Sequence, residues 1–193
     1  MTIKWYDKNV KNYYDRIVNL DISSIYSEFL KLLPSNTHIL DAGCGIGNFT
    51  KIFLEKGYKV TAFDASVEMV RIATKYCGQK VYQLKFQEMD YEDQFDGIFA
   101  SASLLHVSRF EIQDIFKKFI KAMKKGGIWQ LSFKYGSDEK YENGRLFNNY
   151  DEKSLKKLIE SFPSLEILKM WKSKDLRPER KNQYWISALL KKV

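Results

Sequence analysis

Apolar positions change their period several times along the chain. Ile22, Ile25, Tyr26, Phe29, Leu30 and Leu33 recur at helical spacing, and Pro34 stops the run. A short strand is expected at 38–42, then a helix over 48–56 that Gly57 ends. "YKVTAFD" reads as a second strand, and Ser66 is placed to cap the helix after it. "KVYQLKF" and "FDGIFAS" read as the third and fourth strands. Ser108 and Glu111 have capping-box spacing. The helix they open carries Ile112, Ile115, Phe116, Phe119, Ile120 and Met123 on one face and ends at Gly126-Gly127, before a fifth strand, "IWQLSF".

Strand and helix thus alternate over 38–133, which predicts an α/β fold: a doubly wound, mostly parallel sheet with helices on both faces. The tail reads differently. "GSDEKYENGR" is a polar loop, 151–162 a helix, and "LEILKMWK" with "NQYWISALL" a closing antiparallel pair. No repeat, low-complexity block or linker divides the chain. One domain over 1–193 is expected, with N-terminal helices in 1–34, a core in 38–133 and an accessory part in 134–193.

The richest local pattern is "HILDAGCGIGNFTKIF". A strand, a glycine-rich turn and a helix at the start of an α/β unit place a ligand at the carboxyl edge of the sheet. Dinucleotide folds space glycines as G-x-G-x-x-G. Here Gly43 and Gly45 fit, the sixth position is Asn48, and the third glycine comes one residue early, at Gly47. No G-K-[ST] ending follows either. Asp64 closes the second strand, 21 positions after Gly43, where a carboxylate accepts hydrogen bonds from ribose hydroxyls. Glycines and a ribose-reading acid without a phosphate clamp suit a nucleoside ligand such as S-adenosylmethionine. The competing reading is a purely structural turn with an incidental acid.

Composition narrows the setting. Apolar residues make up 45% of the 193 and aromatics 15%, enough for a sizeable core. No window approaches roughly 18 uninterrupted apolar residues, so no membrane span is expected. "MTIKWYDKNVKNYY" has no apolar h-region, and Cys44 and Cys77 have no metal-like spacing, which suits a cytoplasmic protein without a metal site. The net charge of +8 raises a nucleic-acid partner. Yet the lysines pair up at 117–118, 124–125, 156–157 and 191–192, on outer helix faces for the most part, a distribution that fits a solvated surface.

"ILDAGCGIGNFT" resembles motif I of class I S-adenosylmethionine-dependent methyltransferases, and "FDAS" resembles their second-strand acid. "FQEMDYEDQFDGIFASASLLHV", "KKGGIWQLSFKYG", "GRLFNNYDEKSLKKLI" and W-x-S-K-D-x-R-P-x-R resemble a small bacterial group of tellurite-resistance-related methyltransferases. The resemblance implies a Rossmann-like seven-stranded sheet with its last strand inserted antiparallel, and S-adenosyl-L-methionine as cofactor. By position, Asp41, Gly43, Cys44, Gly45 and Gly47 would surround the methionine end, Asp64 the ribose, and Ala65 with Ser66 the adenine. Many members carry an adenine-reading Asp after strand 3. This chain has "KFQEM" there, leaving Phe86 and Gln87 as candidates, while Ser101 and Ala102 would lie beside the methionine moiety.

Methyl transfer from a sulfonium is an in-line displacement that needs alignment and exclusion of water. His106 follows strand 4 and is the candidate proton acceptor, with a hydrogen bond to loop backbone as the alternative. Lys134 and Tyr135 leave strand 5 at the ligand-bearing edge, and Arg145, Arg177 and Arg180 come from the tail; these cations would favour an anionic acceptor. Salt bridges to Asp175 or Glu179 are the ordinary alternative for the two later arginines. Trp5, Tyr6, Tyr13 and Tyr14 are costly to leave in water and would form a lid helix, with Tyr6 and Tyr14 at the acceptor. The expected activity is methyl transfer to a small molecule bearing an anionic, thiol or amine group, by a monomer or homodimer. The alternatives are an RNA or other macromolecular acceptor, and a non-catalytic cofactor-binding module.

Overall fold

A computed structural model describes residues 1–193. The helices are α1 (Thr2–Ile17), α2 (Ser23–Lys31), α3 (Asn48–Glu55), α4 (Val67–Cys77), α5 (Ile112–Ala122) and α6 (Glu152–Glu160). The strands are β1 (His38–Ala42), β2 (Lys59–Asp64), β3 (Tyr82–Gln83), β4 (Phe95–Ala100), β5 (Met123–Lys134), β6 (Glu139–Glu142), β7 (Arg145–Asn148), β8 (Leu165–Lys174) and β9 (Tyr184–Lys192). Seven strands form one sheet in the order β3-β2-β1-β4-β5-β9-β8. β1 to β5 run parallel, and β9 is inserted antiparallel between β5 and β8. This is the expected Rossmann-like sheet. The strand order reverses between β1 and β4, the switch point where such sheets bind ligands.

Alternation along the central strands loads both faces. On one face Trp129 stacks on Phe119, with ring centroids 4.9 Å apart, and packs on Phe116 of the same α5 stripe. On the other, Phe29 of α2 and Phe53 of α3 close over Phe99. The Ser66 hydroxyl caps α4 by accepting from the Met69 N–H at 3.1 Å. No helix is long and apolar enough to cross a membrane.

Three expectations need correction. The third strand is only two residues long, because the chain turns into a 3-10 helix at Phe86–Glu88. β5 begins at Met123, before the two glycines, where an irregular register carries it from Phe95 to Gly97 of β4. Residues 136–145 are no loop: β6 and β7 form a hairpin whose tip, Asn143-Gly144, has φ of 49° and 75°. Two positive-φ residues between strands mark an Asn-Gly turn that matches the twist of a hairpin.

Candidate active site

The turn after β1 spends its own donors. The N–H groups of Gly43 and Cys44 both donate to the Phe63 carbonyl, at 2.9 and 3.0 Å, and that of Gly47 to the Cys44 carbonyl at 3.0 Å. The Gly45 N–H donates to Asp64 Oδ2 at 2.9 Å. A phosphate cradle needs such groups free. This turn has none to offer at those positions, and it presents a bare wall instead. At Gly43, with φ +75°, a Cβ would fall 2.5 Å from the Ser103 Cβ. Asp41, behind the turn, accepts from the Thr50 hydroxyl at 2.6 Å, and burial pushes its carboxyl up to about 7.

Two adjoining cavities open on this wall at the carboxyl ends of β1, β2 and β4. The smaller, about 100 Å³, is lined by Asp64, Ala65, Ser66, Met69, Leu84 and Phe86 among others. Asp64 accepts from the Gly45 and Ser66 N–H groups, each at 2.9 Å, and has no cationic partner. Burial raises its pKa. A carboxylate has about four lone-pair sites, so acceptor capacity remains for ribose hydroxyls. Phe86 meets Phe63 edge-on at 5.7 Å, making an apolar slot beside it. A nucleoside without a pyrophosphate fits these residues.

The larger cavity, about 330 Å³, shares Tyr6, Tyr13, Gly43, Gly45, Ala102 and His106 with the smaller one. Asp41, Cys44, Ser101, Lys134, Arg145, Arg177 and Arg180 also line it. Ala102 is left-handed at φ 52°, and its N–H donates to the Ser132 hydroxyl at 2.8 Å. Such backbone strain clusters at binding sites.

α1 roofs both cavities. None of its side chains is fully buried, and polar pins hold it down. The Ser66 hydroxyl donates to Asp7 at 2.6 Å, the Asn48 amide to the Ile17 carbonyl at 3.1 Å, and the Leu146 N–H to the Thr2 hydroxyl at 3.0 Å. The central pin joins Tyr6 to His106. His106 Nδ1 lies 2.6 Å from the Leu146 carbonyl, which only an N–H satisfies, so Nε2 is the lone-pair nitrogen and accepts from the Tyr6 hydroxyl at 2.8 Å. Burial lowers the imidazole to about 4 and raises the Tyr6 phenol. His106 therefore makes the backbone bond and a lid contact at once, and both its ring nitrogens are engaged.

Four expected site residues lie elsewhere. Gly47 packs on α4, where a Cβ would meet that of Ala73 at 3.2 Å. The Gln87 amide turns outward and donates to Glu111 at 3.0 Å. Tyr14 meets Tyr76 edge-on at 6.1 Å, away from both cavities. It is one position from Tyr13, which on a helix means a rotation of about 100°. Tyr135 alternates with Lys134 on the strand and donates its hydroxyl to Glu152 at 2.7 Å. Conversely, Tyr13, expected in the lid but not at the acceptor, lines the larger cavity, and so do Trp171 and Trp185, which no sequence pattern pointed to. Tyr6 and Tyr13 are seven positions apart, two helical turns, and that spacing is the signal that selects Tyr13 over Tyr14.

Residues 39–127 match the family described as "Methyltransferase domain". An uncharacterized methyltransferase of Staphylococcus carnosus is 31% identical over 154 residues, covering 72% of this chain and 74% of its own. A ribosomal RNA small subunit methyltransferase H of Gemmatimonas aurantiaca is 27% identical, with 72% of this chain matching 45% of it. The fold is similar to that of the Burkholderia thailandensis 1,6-didemethyltoxoflavin-N1-methyltransferase, with TM-score 0.80 at 20% identity over 99% of this chain and 87% of that one. The chain belongs to the class I S-adenosylmethionine-dependent methyltransferases.

Proposed function

We propose that this enzyme methylates a small molecule held in the larger cavity, with the nucleoside of S-adenosylmethionine in the smaller one. The observation that carries this is the turn at 43–47, its donors already spent, beside an Asp64 carboxylate that has no cationic partner. Asp64 takes the ribose hydroxyls. Phe86 and Leu84 bound the adenine, and Asp41, Gly43, Cys44, Gly45, Ser101 and Ala102 line the methionine end. When bound, the cofactor supplies a methyl group on a sulfonium. The residues' task is to align an acceptor atom with it and to keep water out, which α1 does as a roof. His106, neutral near pH 7 and engaged at both nitrogens, serves as the anchor of that roof.

The basic surface favours a small acceptor over RNA. Within each lysine pair one member meets an acid: Lys117 with Asp114 at 2.8 Å, Lys124 with Asp96 at 2.9 Å, Lys156 with Glu160 at 3.6 Å and Lys192 with Asp93 at 2.9 Å. Asp93 and Asp96 sit at the start of β4, the sheet edge opposite the cavities. Labelled methyl transfer to metabolite pools and to total RNA, run side by side, tests the reading. Label in a small product is expected. Label in RNA, with binding that falls steeply with salt, would move the acceptor to a macromolecule. Absence of calorimetric heat with S-adenosylhomocysteine would remove the cavity assignment itself.

A further inference from the structure

The larger cavity carries more positive charge than its cofactor can answer. Arg177 is neutralised: its Nε donates to Asp175 at 2.8 Å, and the Trp185 indole N–H donates to the same carboxylate at 3.1 Å. Lys134, Arg145 and Arg180 also line the cavity, and none of them has a carboxylate within ion-pair distance. Glu142, whose field reaches Lys134, meets Lys140 at 3.9 Å instead. Arg145 stacks over Trp5 at 3.8 Å, and its buried Nε has no hydrogen-bond partner. Lys134 has only the Phe147 ring, at 4.0 Å. Burial and the charge of Arg180 lower its pKa to about 8, as expected of cations crowded together without a counter-ion. S-adenosylmethionine brings one carboxylate, but also an ammonium and a sulfonium. Its arrival leaves the surplus in place.

The floor beneath these cations is flat. In an antiparallel ladder, directly opposed residues share a sheet face. Ser132 opposes Ser187, which opposes Trp171; Lys134 opposes Trp185, which opposes Ser173. All six line the cavity. They form a checkerboard of two indoles, three hydroxyls and one ammonium at the carboxyl end of β5.

Resting on the methyltransferase reading above, we propose that the acceptor is an organic anion with a flat apolar body, lying on Trp171 and Trp185 with its carboxylate or similar group at Lys134 and Arg180. The indoles offer π-faces and apolar area, and the surrounding hydroxyls leave room for the body to lie flat. Arg145, farther towards Tyr6 and His106, remains for the carboxylate of the cofactor. The anion thereby orients the acceptor, and the surplus charge disfavours amines, since a second cation would join the sulfonium.

Calorimetry on the full chain saturated with S-adenosylhomocysteine tests this. The probes are benzoate and indole-3-acetate, their amides benzamide and indole-3-acetamide, and acetate. Both flat acids are expected to bind at least tenfold more tightly than their amides and than acetate. Lys134→Gln and Arg180→Gln should each weaken them fivefold or more while S-adenosylhomocysteine stays within twofold, and Lys134→Arg should recover most of the loss. Amides binding as well as acids, acetate as well as indole-3-acetate, or no acid binding at millimolar concentration would each overturn the proposal. So would glutamine variants that lose S-adenosylhomocysteine and keep the acids. If the wild-type chain binds no S-adenosylhomocysteine, the cofactor assignment fails separately, and the same acid–amide contrast on the free protein decides the anion site.

Discussion

The smaller cavity takes its polar wall from two neighbouring turns, at 43–45 and 64–66, whereas the larger one gathers side chains from α1, β5, β7, β8, β9 and the 175–180 loop. In the first, backbone N–H groups set the wall: those of Gly43, Cys44, Gly45 and Ser66 are all spent on partners inside one βαβ unit. In the second, side chains from distant segments meet with charges left unpaired and a roof that buries none of its residues fully. The contrast is one of division of labour. A ligand common to a whole family can be met by a rigid local motif, while the part that differs between members is set by long, adjustable side chains on the edge of the fold.

The strongest way to break the rigid half is Gly43→Ala. Left-handed strain of about 1–2 kcal/mol adds to the overpacking of a Cβ set 2.5 Å from that of Ser103, for a total loss of about 2–5 kcal/mol. Urea denaturation should show the lower midpoint, and the variant should no longer bind S-adenosylhomocysteine. Full retention of both would mean that the turn yields, contrary to its role as a fixed wall.

Acid should loosen the adjustable half first. His106 titrates near 4 in the fold against an ordinary 6.5, because burial penalises its charged form. Between those values the unfolded chain takes up a proton that the folded one refuses, so stability falls as the pH drops from about 6.5 towards 4. The loss reaches about 2–3 kcal/mol at the lower end. It should surface as opening of α1, seen by hydrogen exchange at residues 2–17, and His106→Gln should flatten this segment of the profile. An exchange rate in α1 indifferent to pH, after correction for intrinsic chemistry, would detach the imidazole from the lid.

Asp64→Ala should weaken S-adenosylhomocysteine by about 1–3 kcal/mol, the worth of a lost charge-assisted hydrogen bond. Gln87→Ala, beside the adenine slot in sequence but bonded to Glu111 on the surface, should leave it unchanged. Equal effects of the two would place the nucleoside elsewhere.

This pair also shows what a sequence reveals and where it stops. Residues 38–66 announce themselves because each functional position lies on one continuous strand–turn–helix–strand path, and the spacing of glycines and acid carries their geometry. The sheet order follows from the same alternation. Beyond it, a single-residue offset decides everything. Lys134, the last residue of β5, and Tyr135, just past it, turn to opposite sides, and Tyr13 and Tyr14 look to different sides of α1. Spacing identifies the face only once the phase of each element is known. The hairpin at 139–148 had a readable sign in Asn143-Gly144, hidden by the many charges around it. Trp171 and Trp185 come to one sheet face through strand register across β8 and β9, which no local pattern reports.

The smallest expected effect belongs to Tyr6→Phe, and it sharpens the contrast most. The substitution keeps the ring, with its edge contacts to Trp5 at 5.2 Å and Tyr13 at 5.5 Å, and removes only the hydroxyl that donates to His106. One side-chain hydrogen bond contributes about 0.5–1.5 kcal/mol. If α1 is a docked roof over an otherwise complete site, that loss should appear as faster cofactor release with an almost unchanged association rate, measured by stopped-flow tryptophan fluorescence. His106→Gln should cost more, since it also breaks the Nδ1 bond to the Leu146 carbonyl, and adding Tyr6→Phe to it should cost nothing further, because the bond that Tyr6→Phe removes is already gone. A further loss from Tyr6→Phe in the His106→Gln background would instead mean that the phenol hydroxyl acts through a partner other than His106, and would detach this bond from the docking of the roof.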